Sequence, residues 1–327
     1  MAYQYGAIAA FGPSNSFMNK AITGSAEDNI RGSLIVGSGN TLHSQYGAAF
    51  GADNTVSGSK YSYALGKDNE TQNNFTFAVG DSNVVSGSNG AIAMGSGNTS
   101  AYTATVALGE SNVVGDDVAF PPVGRAAMAI GRGNSVKGDY SAGFGYNHTI
   151  SGASVGTTAL GVLHVADETS YASTLMGYAG KSSRFAEVVH SAAAFSTTGD
   201  AQACHLISKN QTTDNSATEL FTNGSSTRIT IPTDTNATFS ILIIGRQTNS
   251  AGEGGSYKVE GGIKNEGGTT ALIGAGVTKT ALAEDVAGWD VTVTADNTNN
   301  SLKIEVTGAV GDNVNWVAYT TLVQTTG

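Results

Sequence analysis

From residue 33 to about residue 165 the chain repeats one pattern of small, large apolar and polar positions. A glycine preceded by a large apolar residue recurs at Gly37, Gly51, Gly66, Gly80, Gly95, Gly109, Gly131, Gly145 and Gly161, at intervals of 14, 15, 14, 15, 14, 22, 14 and 16 residues. The apolar residues are Val36, Phe50, Leu65, Val79, Met94, Leu108, Ile130, Phe144 and Leu160. Two positions before the glycine stands Ala49, Ala64, Ala78, Ala93, Ala107, Ala129 or Ala159. Three positions after it stands Asn40, Asn54, Asn69, Asn83, Asn98, Asn112 or Asn134. Positions held in phase over so many copies mark a stacked-repeat architecture. A unit this short cannot hold a helix pair, and its glycines disfavour helix. It predicts two short strands joined by tight turns, one coil of a β-solenoid.

Within a strand, side chains alternate between faces, and the large apolar residue is expected to point inward as the core of each coil. The glycine permits a turn with positive φ. Asparagine tolerates left-handed geometry and bonds its own turn. Stacked at the ~4.8 Å strand spacing, the asparagines are expected to form a ladder. His148 and His164 occupy the asparagine position and read as turn residues. The interval of 22 holds eight extra residues, in GDDVAFPPVG. Phe120, Pro121 and Pro122 of that insertion cannot join a strand ladder, because proline lacks the donor; they are expected to bulge outward as a candidate contact loop.

The pattern changes after residue 180. Residues 181–199 read as a connector. From 200 to 327, runs such as RITIPTDT, ATFSILIIGRQ and VTVTADNTNNSLKIEV alternate apolar and polar residues around Asn/Asp/Thr turns, a hairpin signal. Many strands without intervening helices predict an antiparallel β-sandwich or jelly-roll-like domain, with Trp289 and Trp316 in its core. Residues 1–32 match the repeat poorly. Their aromatics Tyr3, Tyr5, Phe11 and Phe17 would be costly to leave in water, and the segment is expected to dock into a partner.

Composition narrows the function. Of 327 residues 40% are hydrophobic and 13% charged, with 44 glycines and 4 prolines, so the chain reads as ordered, turn-rich and all-β. The net charge of −10 and the scattered basic residues argue against a nucleic-acid partner. Cys204 is the single cysteine, which leaves no intrachain disulfide. No charged leader opens the sequence, and no apolar run reaches the ~20 residues of a membrane span; no membrane insertion is expected. No zinc spacing occurs. The neighbouring pairs Asp116/Asp117 and Glu284/Asp285 would point to opposite strand faces rather than converge for acid–base work. GSGN and GRGN precede no helix that could hold a phosphate. No catalytic residue, metal or cofactor is expected, and the chain is expected not to be an enzyme.

The unit Ala-apolar-Gly-x-x-Asn, over about residues 33–165, resembles the head repeat of trimeric autotransporter adhesins, the YadA-like left-handed parallel β-roll. That resemblance implies a trimer and a projecting rod; a narrow coil with apolar residues left outside also needs a cover, most simply further copies of itself. The series GDAQ, TELF, RITIPTDT, ALAEDVAGWDVTVTADNTNNSLKIEVTG and VNWVA, over about 185–325, is similar to the C-terminal module of bacteriophage and prophage tail-fibre proteins. It implies a virion tail appendage assembled in the host bacterial cytoplasm. Residues 1–32 would then meet tail or baseplate proteins, residues 33–180 form the roll, and residues 200–327 form a tip that meets a host receptor, expected to be glycan. The alternatives are a capsid-mounted head fibre or decoration protein, and a bacterial adhesin fragment.

Overall fold

The computed structural model describes residues 9–14, 16–17, 32–58, 60–115, 124–250 and 252–327. The fold is all-β: a parallel β-solenoid of about ten turns over residues 34–191, followed by antiparallel sheets. Contacts divide the chain into two compact units, Met1–Leu163 and His164–Gly327.

In the first unit each coil contributes a five-residue strand, such as Phe77–Asp81, and a two-residue strand, such as Val84–Val85. Both kinds stack in parallel on their counterparts in the next coil. Along the long strands Val36 pairs with Phe50, Phe50 with Leu65, Leu65 with Val79, Val79 with Met94 and Met94 with Leu108. Leu108 pairs directly with Ile130, so the ladder closes across the 22-residue interval. The register continues from Ile130 to Phe144 and from Phe144 to Leu160. Ahead of the first full coil, Ala9–Phe11 pairs with Leu34–Ser38 and Ser16–Phe17 with Thr41–Leu42, so part of the segment expected to dock elsewhere is strand paired to the solenoid.

One expectation is corrected here. The interior of a coil is lined by the alanine, not by the large apolar residue after it. Ala49, Ala64, Ala78, Ala93, Ala107, Ala129 and Ala159 are fully buried. Val36, Phe50, Leu65, Val79, Leu108, Ile130 and Phe144 are half-exposed, and Met94 and Leu160 are 39% and 41% exposed. The reason is width. The second residue of each short strand also points inward, and Leu42, Val56, Val85, Val114, Val136 and Ile150 already fill the space. The narrowness is not uniform, since the first full coil holds both Ile35 and Leu42 inside. The coil with the bulky Ile150 carries Gly143, where a Cβ would lie 2.9 Å from Val136 Cγ2, and the coil with Leu175 carries Ser182.

The repeated glycine follows from the stacking. Gly80 has φ +119°, and a Cβ there would sit 2.0 Å from the carbonyl oxygen of Gly95 in the next coil. Neither strain nor clash can be relieved without opening the ladder.

The second unit contains the coil strands Thr174–Tyr178, Lys181–Ser182 and Val188–Ser191, so the residues expected to be a connector still include solenoid strand. Val188–Ser191 then pairs antiparallel with Ala201–Thr212. The long sheet runs in the order Ala201–Thr212, Val314–Thr326, Thr235–Gln247, Gly254–Glu266 and Thr269–Glu284. A smaller sheet pairs Ser301–Thr307 with Asp290–Asp296, Thr218–Glu219 and Ile229–Thr230. Strict alternation puts Phe239, Ile241, Ile243, Tyr257, Trp316 and Leu322 on the inner side of the long sheet. Gly245 pairs with Trp316, and a Cβ there would fall 2.5 Å from the indole; the missing side chain is the seat of the ring. Trp289 meets Trp316 edge-to-face at 5.3 Å, and both indoles are buried. Trp316 Nε1 donates to Thr212 Oγ1 at 3.0 Å.

Candidate functional site

The coil interior is closed by a column of asparagines. Asn54 Nδ2 donates to Asn40 Oδ1 at 2.9 Å and to the Gly66 carbonyl at 2.9 Å, and the same geometry recurs at Asn69, Asn83, Asn98, Asn112 and Asn134. The backbone N–H of Asn54 also donates to Asn40 Oδ1, at 3.0 Å. All are buried, so a complete set of partners is required. Histidine enters the same column: the His148 N–H donates to Asn134 Oδ1 at 3.0 Å, and its Nε2 lies 3.1 Å from the Phe144 carbonyl. His164 Nδ1 accepts the Gly180 N–H at 3.0 Å. This column is structural and faces no solvent.

What the coils offer to a partner lies on their outer faces. The long strands carry two outward rows. One is the half-exposed apolar row Val36 to Leu160; the other includes Tyr63, Phe77, Ile92, Val106 and Met128. The outward positions of the short strands are mostly polar (Thr41, Thr55, Glu70, Thr99, Ser135, Thr149). Apolar area is therefore concentrated on one face.

A column of aromatics runs beside it. Tyr46, Tyr61 and Phe75 stack at ring-centroid distances of 5.2 Å, each with φ between +54° and +56°. Bulky residues rarely hold that backbone conformation. Each stands five residues before a repeat glycine, a phase visible in the sequence. Sequence reasoning missed the column.

In the second unit a buried ion pair joins Arg184 and Glu187. The Arg184 guanidinium also donates to the Thr230 carbonyl at 2.6 Å and to Gln324 Oε1 at 2.9 Å, tying the last coil to the antiparallel sheet. Burial is the strongest single influence and opposes its charge, but Glu187 and Cys204 together outweigh it and raise its pKa. Burial, and then the nearby Glu187, hold the Cys204 thiol well above its ordinary value, so it is not a reactive nucleophile. Beside this cluster a polar cleft of about 370 Å³ includes Asp167, Lys181, Asp200 and Gln324. Asp200 accepts N–H bonds from Thr197 (2.8 Å), Ser196 (2.7 Å) and Phe195 (2.8 Å), which hold its carboxyl below the usual range. It is a loop anchor in ionised form, unsuited to act as a proton donor.

The outer face of the long sheet carries Ile207, Leu242, Ile244, Val317, Tyr319 and Val323, all exposed. At one end an apolar groove of about 660 Å³ is walled by Phe195, Ile273 and Val323. Trp289 and Trp316 lie on the inner side and reach neither groove nor face.

Tyr3, Tyr5, Phe120, Pro121 and Pro122 lie outside the described residues. Phe11 and Phe17 belong to the two strands paired with the first full coil, opposite Val36 and Leu42. Among the described residues, no group of three or more His, Cys, Asp or Glu could hold a metal ion, and no helix is long and apolar enough to cross a membrane.

No family model matches the chain, and no curated protein matches it. Among solved structures it is similar to the tailspike protein gp49 from Acinetobacter baumannii bacteriophage Fri1, described as a capsular polysaccharide depolymerase. Identity is 9% and the TM-score 0.25, covering 99% of this chain and 72% of that one. It is also similar to the tailspike of Acinetobacter baumannii phage AM24 (10% identity, TM-score 0.20, 90% of this chain and 58% of that one). A third is the tailspike of Acinetobacter phage vB_ApiP_P1 (10% identity, TM-score 0.18, 99% and 81%). These neighbours correct the expectation of a non-enzyme, since one of them is described as a depolymerase. TM-scores this low assign no role to any residue of this chain.

Proposed function

We propose that this protein is a receptor-binding fibre or tailspike component of a bacteriophage tail. In this reading the coils form a left-handed YadA-like roll in a homotrimer, and the antiparallel sheets form a β-sandwich tip that meets host surface glycan. The N-terminal segment meets other tail proteins, with Tyr3, Tyr5, Phe11 and Phe17 as its docking side chains, and Phe120, Pro121 and Pro122 form an exposed contact loop. The observation that carries the reading is the unbroken apolar row from Val36 to Leu160 on one face of the coils. A periodic strip of this kind matches a partner with the same period, which a further copy of the chain supplies. Several weak sites on one assembly would then act together through effective concentration.

The test is binding of the labelled full chain to host cells before and after enzymatic removal of surface polysaccharide. The reading expects binding to fall at least tenfold; full retention on stripped cells would contradict a glycan receptor. Release of reducing ends from the purified polysaccharide, followed in parallel, measures whether binding is accompanied by cleavage.

A further inference from the structure

The polar cleft of the second unit differs in chemistry from the apolar surfaces of the protein. Its walls come from four places in the chain: the coil strand Lys181–Ser182, the loop 195–200, the turn from Thr230 to Thr233 and the last strand, Val314–Thr326. Its volume of about 370 Å³ falls within the range of small-ligand sites. Most such sites are mainly apolar. Among the described residues lining this one, Pro232 is the single apolar side chain, and the others carry hydroxyls, amides or charges apart from Gly199.

The walls are fixed from within the protein. Gln202 Nε2 donates to the Lys181 carbonyl and its Oε1 accepts the Lys181 N–H, both at 2.8 Å. Asp200 gathers the loop through the N–H groups of Phe195, Ser196 and Thr197. Gly199, at φ +92°, lets that loop close on the lysine, since a Cβ there would lie 2.4 Å from Lys181 Cβ and 3.4 Å from Cδ. The lysine stem is thereby laid along the loop, and its ammonium has no ion-pair partner among the described residues. Gln324 is only 6% exposed, and its Oε1 accepts from Arg184 at 2.9 Å. Its Nε2 is then the donor end of the amide and has no partner among the described residues. A donor so deeply placed calls for an acceptor from the cleft. Holding such groups in place beforehand lowers the cost of binding.

The remaining groups narrow the ligand. Ser183, Thr197, Thr230 and Thr233 bring hydroxyls to the lining, each able both to donate and to accept. Asp167 is oriented by the Thr169 N–H at 3.1 Å and the Thr169 hydroxyl at 2.7 Å, and a carboxylate has room for further donors. A ligand that answers donors and acceptors side by side is one with neighbouring hydroxyls, as on a sugar ring. Charge excludes an acidic one. Asp167 and Asp200 stand against Lys181 alone, while Arg184 is already neutralised by Glu187. Without an apolar wall the cleft offers a lipid tail or an aromatic side chain little to pack against.

We infer that this cleft is a saccharide site for a neutral sugar residue, in which Lys181 Nζ and Gln324 Nε2 donate to the sugar oxygens and Asp167 accepts from its hydroxyls. The inference rests on the glycan-binding part of the reading above and adds to it the place and the class of sugar. With no aromatic ring in its lining the cleft binds through hydrogen bonds alone, so each copy holds its sugar weakly.

The experiment uses the full chain as wild type, as Lys181→Met, as Gln324→Glu, and as Thr233→Cys carrying a bulky maleimide, Cys204 being buried. The probes are the methyl glycosides of glucose, galactose and N-acetylglucosamine, with glucuronate as the anionic comparison. Saturation-transfer NMR titrations give the relative affinities, and the native Trp signal from Trp289 and Trp316 checks folding. Wild type is expected to bind at least one neutral glycoside at least tenfold more tightly than glucuronate. Lys181→Met keeps the stem and removes the ammonium; Gln324→Glu keeps an acceptor for Arg184 and removes the donor. Both, and the labelled Thr233→Cys, are expected to weaken that binding at least tenfold. No binding of any neutral probe, glucuronate bound as tightly as the best of them, or a folded Lys181→Met that binds like wild type overturns the inference.

Host-cell binding separates this result from the broader reading. Polysaccharide-dependent adhesion that Lys181→Met leaves unchanged overturns the cleft as the glycan site while the glycan reading stands. Sugar binding that the three variants weaken, with adhesion indifferent to removal of surface polysaccharide, supports the cleft as a sugar site and contradicts the glycan reading.

Discussion

Asn98 Oδ1 receives two hydrogen bonds from Asn112, one from its backbone N–H at 3.1 Å and one from its Nδ2 at 3.0 Å. Asn98 in turn donates to Asn83 Oδ1 at 3.0 Å, to its own coil at the Met94 carbonyl and to the next coil at the Gly109 carbonyl, at 2.7 Å. One fully buried side chain thus joins three coils. Asn98→Ala should strand several buried groups and lower stability by about 2–4 kcal/mol. Asn98→Asp should cost more, because a carboxylate would face the three oxygens, of Asn83, Met94 and Gly109, to which the amide now donates. Urea unfolding of the three chains at one concentration gives the comparison.

Gly80→Ala tests the stacking itself. A methyl 2.0 Å from the Gly95 oxygen at φ +119° should cost more than about 3 kcal/mol and reduce the yield of folded chain. Ala78→Gly, two positions earlier on the interior face, should cost less, through backbone entropy and a small void. Thermal melting followed by far-UV circular dichroism separates the two.

The Arg184–Glu187 pair is buried on both sides, so removing one partner leaves the other charge without compensation. Glu187→Gln should destabilise by about 3–5 kcal/mol, whereas Arg184→Met combined with Glu187→Leu should recover much of the loss. Differential scanning calorimetry of the single and double variants checks the order.

Asp200 gives a pH dependence of known sign. Its carboxyl is held below the usual range, first by the Thr197 N–H and then by that of Ser196. A lowered folded-state pKa contributes stability that is fully present above the unfolded carboxyl pKa and is lost as pH falls through the folded one. Asp200→Asn should therefore lower the melting temperature at neutral pH, with the gap to wild type narrowing below the ordinary carboxylate range. A gap that stays constant down to strongly acidic pH would contradict the assignment.

The repeat was legible because stacking imposes requirements that few residues meet. A turn at φ above +110° with a carbonyl where Cβ would stand accepts only glycine, and the buried amide ladder selects Asn, or His at two coils. Which strand face turns inward was not legible. Ala78 and Val79 are both apolar and alternate by one position, and a one-residue shift exchanges the faces. The deciding quantity is the width left by Val85 across the coil, set by residues from both strands together. The Arg184–Glu187 pair was hidden for a similar reason. Its partners Thr230 and Gln324 lie far along the chain and carry no spacing signal. Alternation foreshadowed the strands of the second unit but not their order, and the apolar outer face of Leu242 and Ile244 reads in ATFSILIIGRQ simply as a buried strand.

The claim on which the rest depends is that the apolar strip of the coils is covered by further copies of the chain. Light scattering coupled to size exclusion on the purified full chain tests it most directly. The account predicts a mass of three times the 33.1 kDa of one chain, falling to one chain when Met94 and Leu108 are replaced by glutamate. A folded wild-type chain that stays at the mass of a single copy across the concentration range would contradict it.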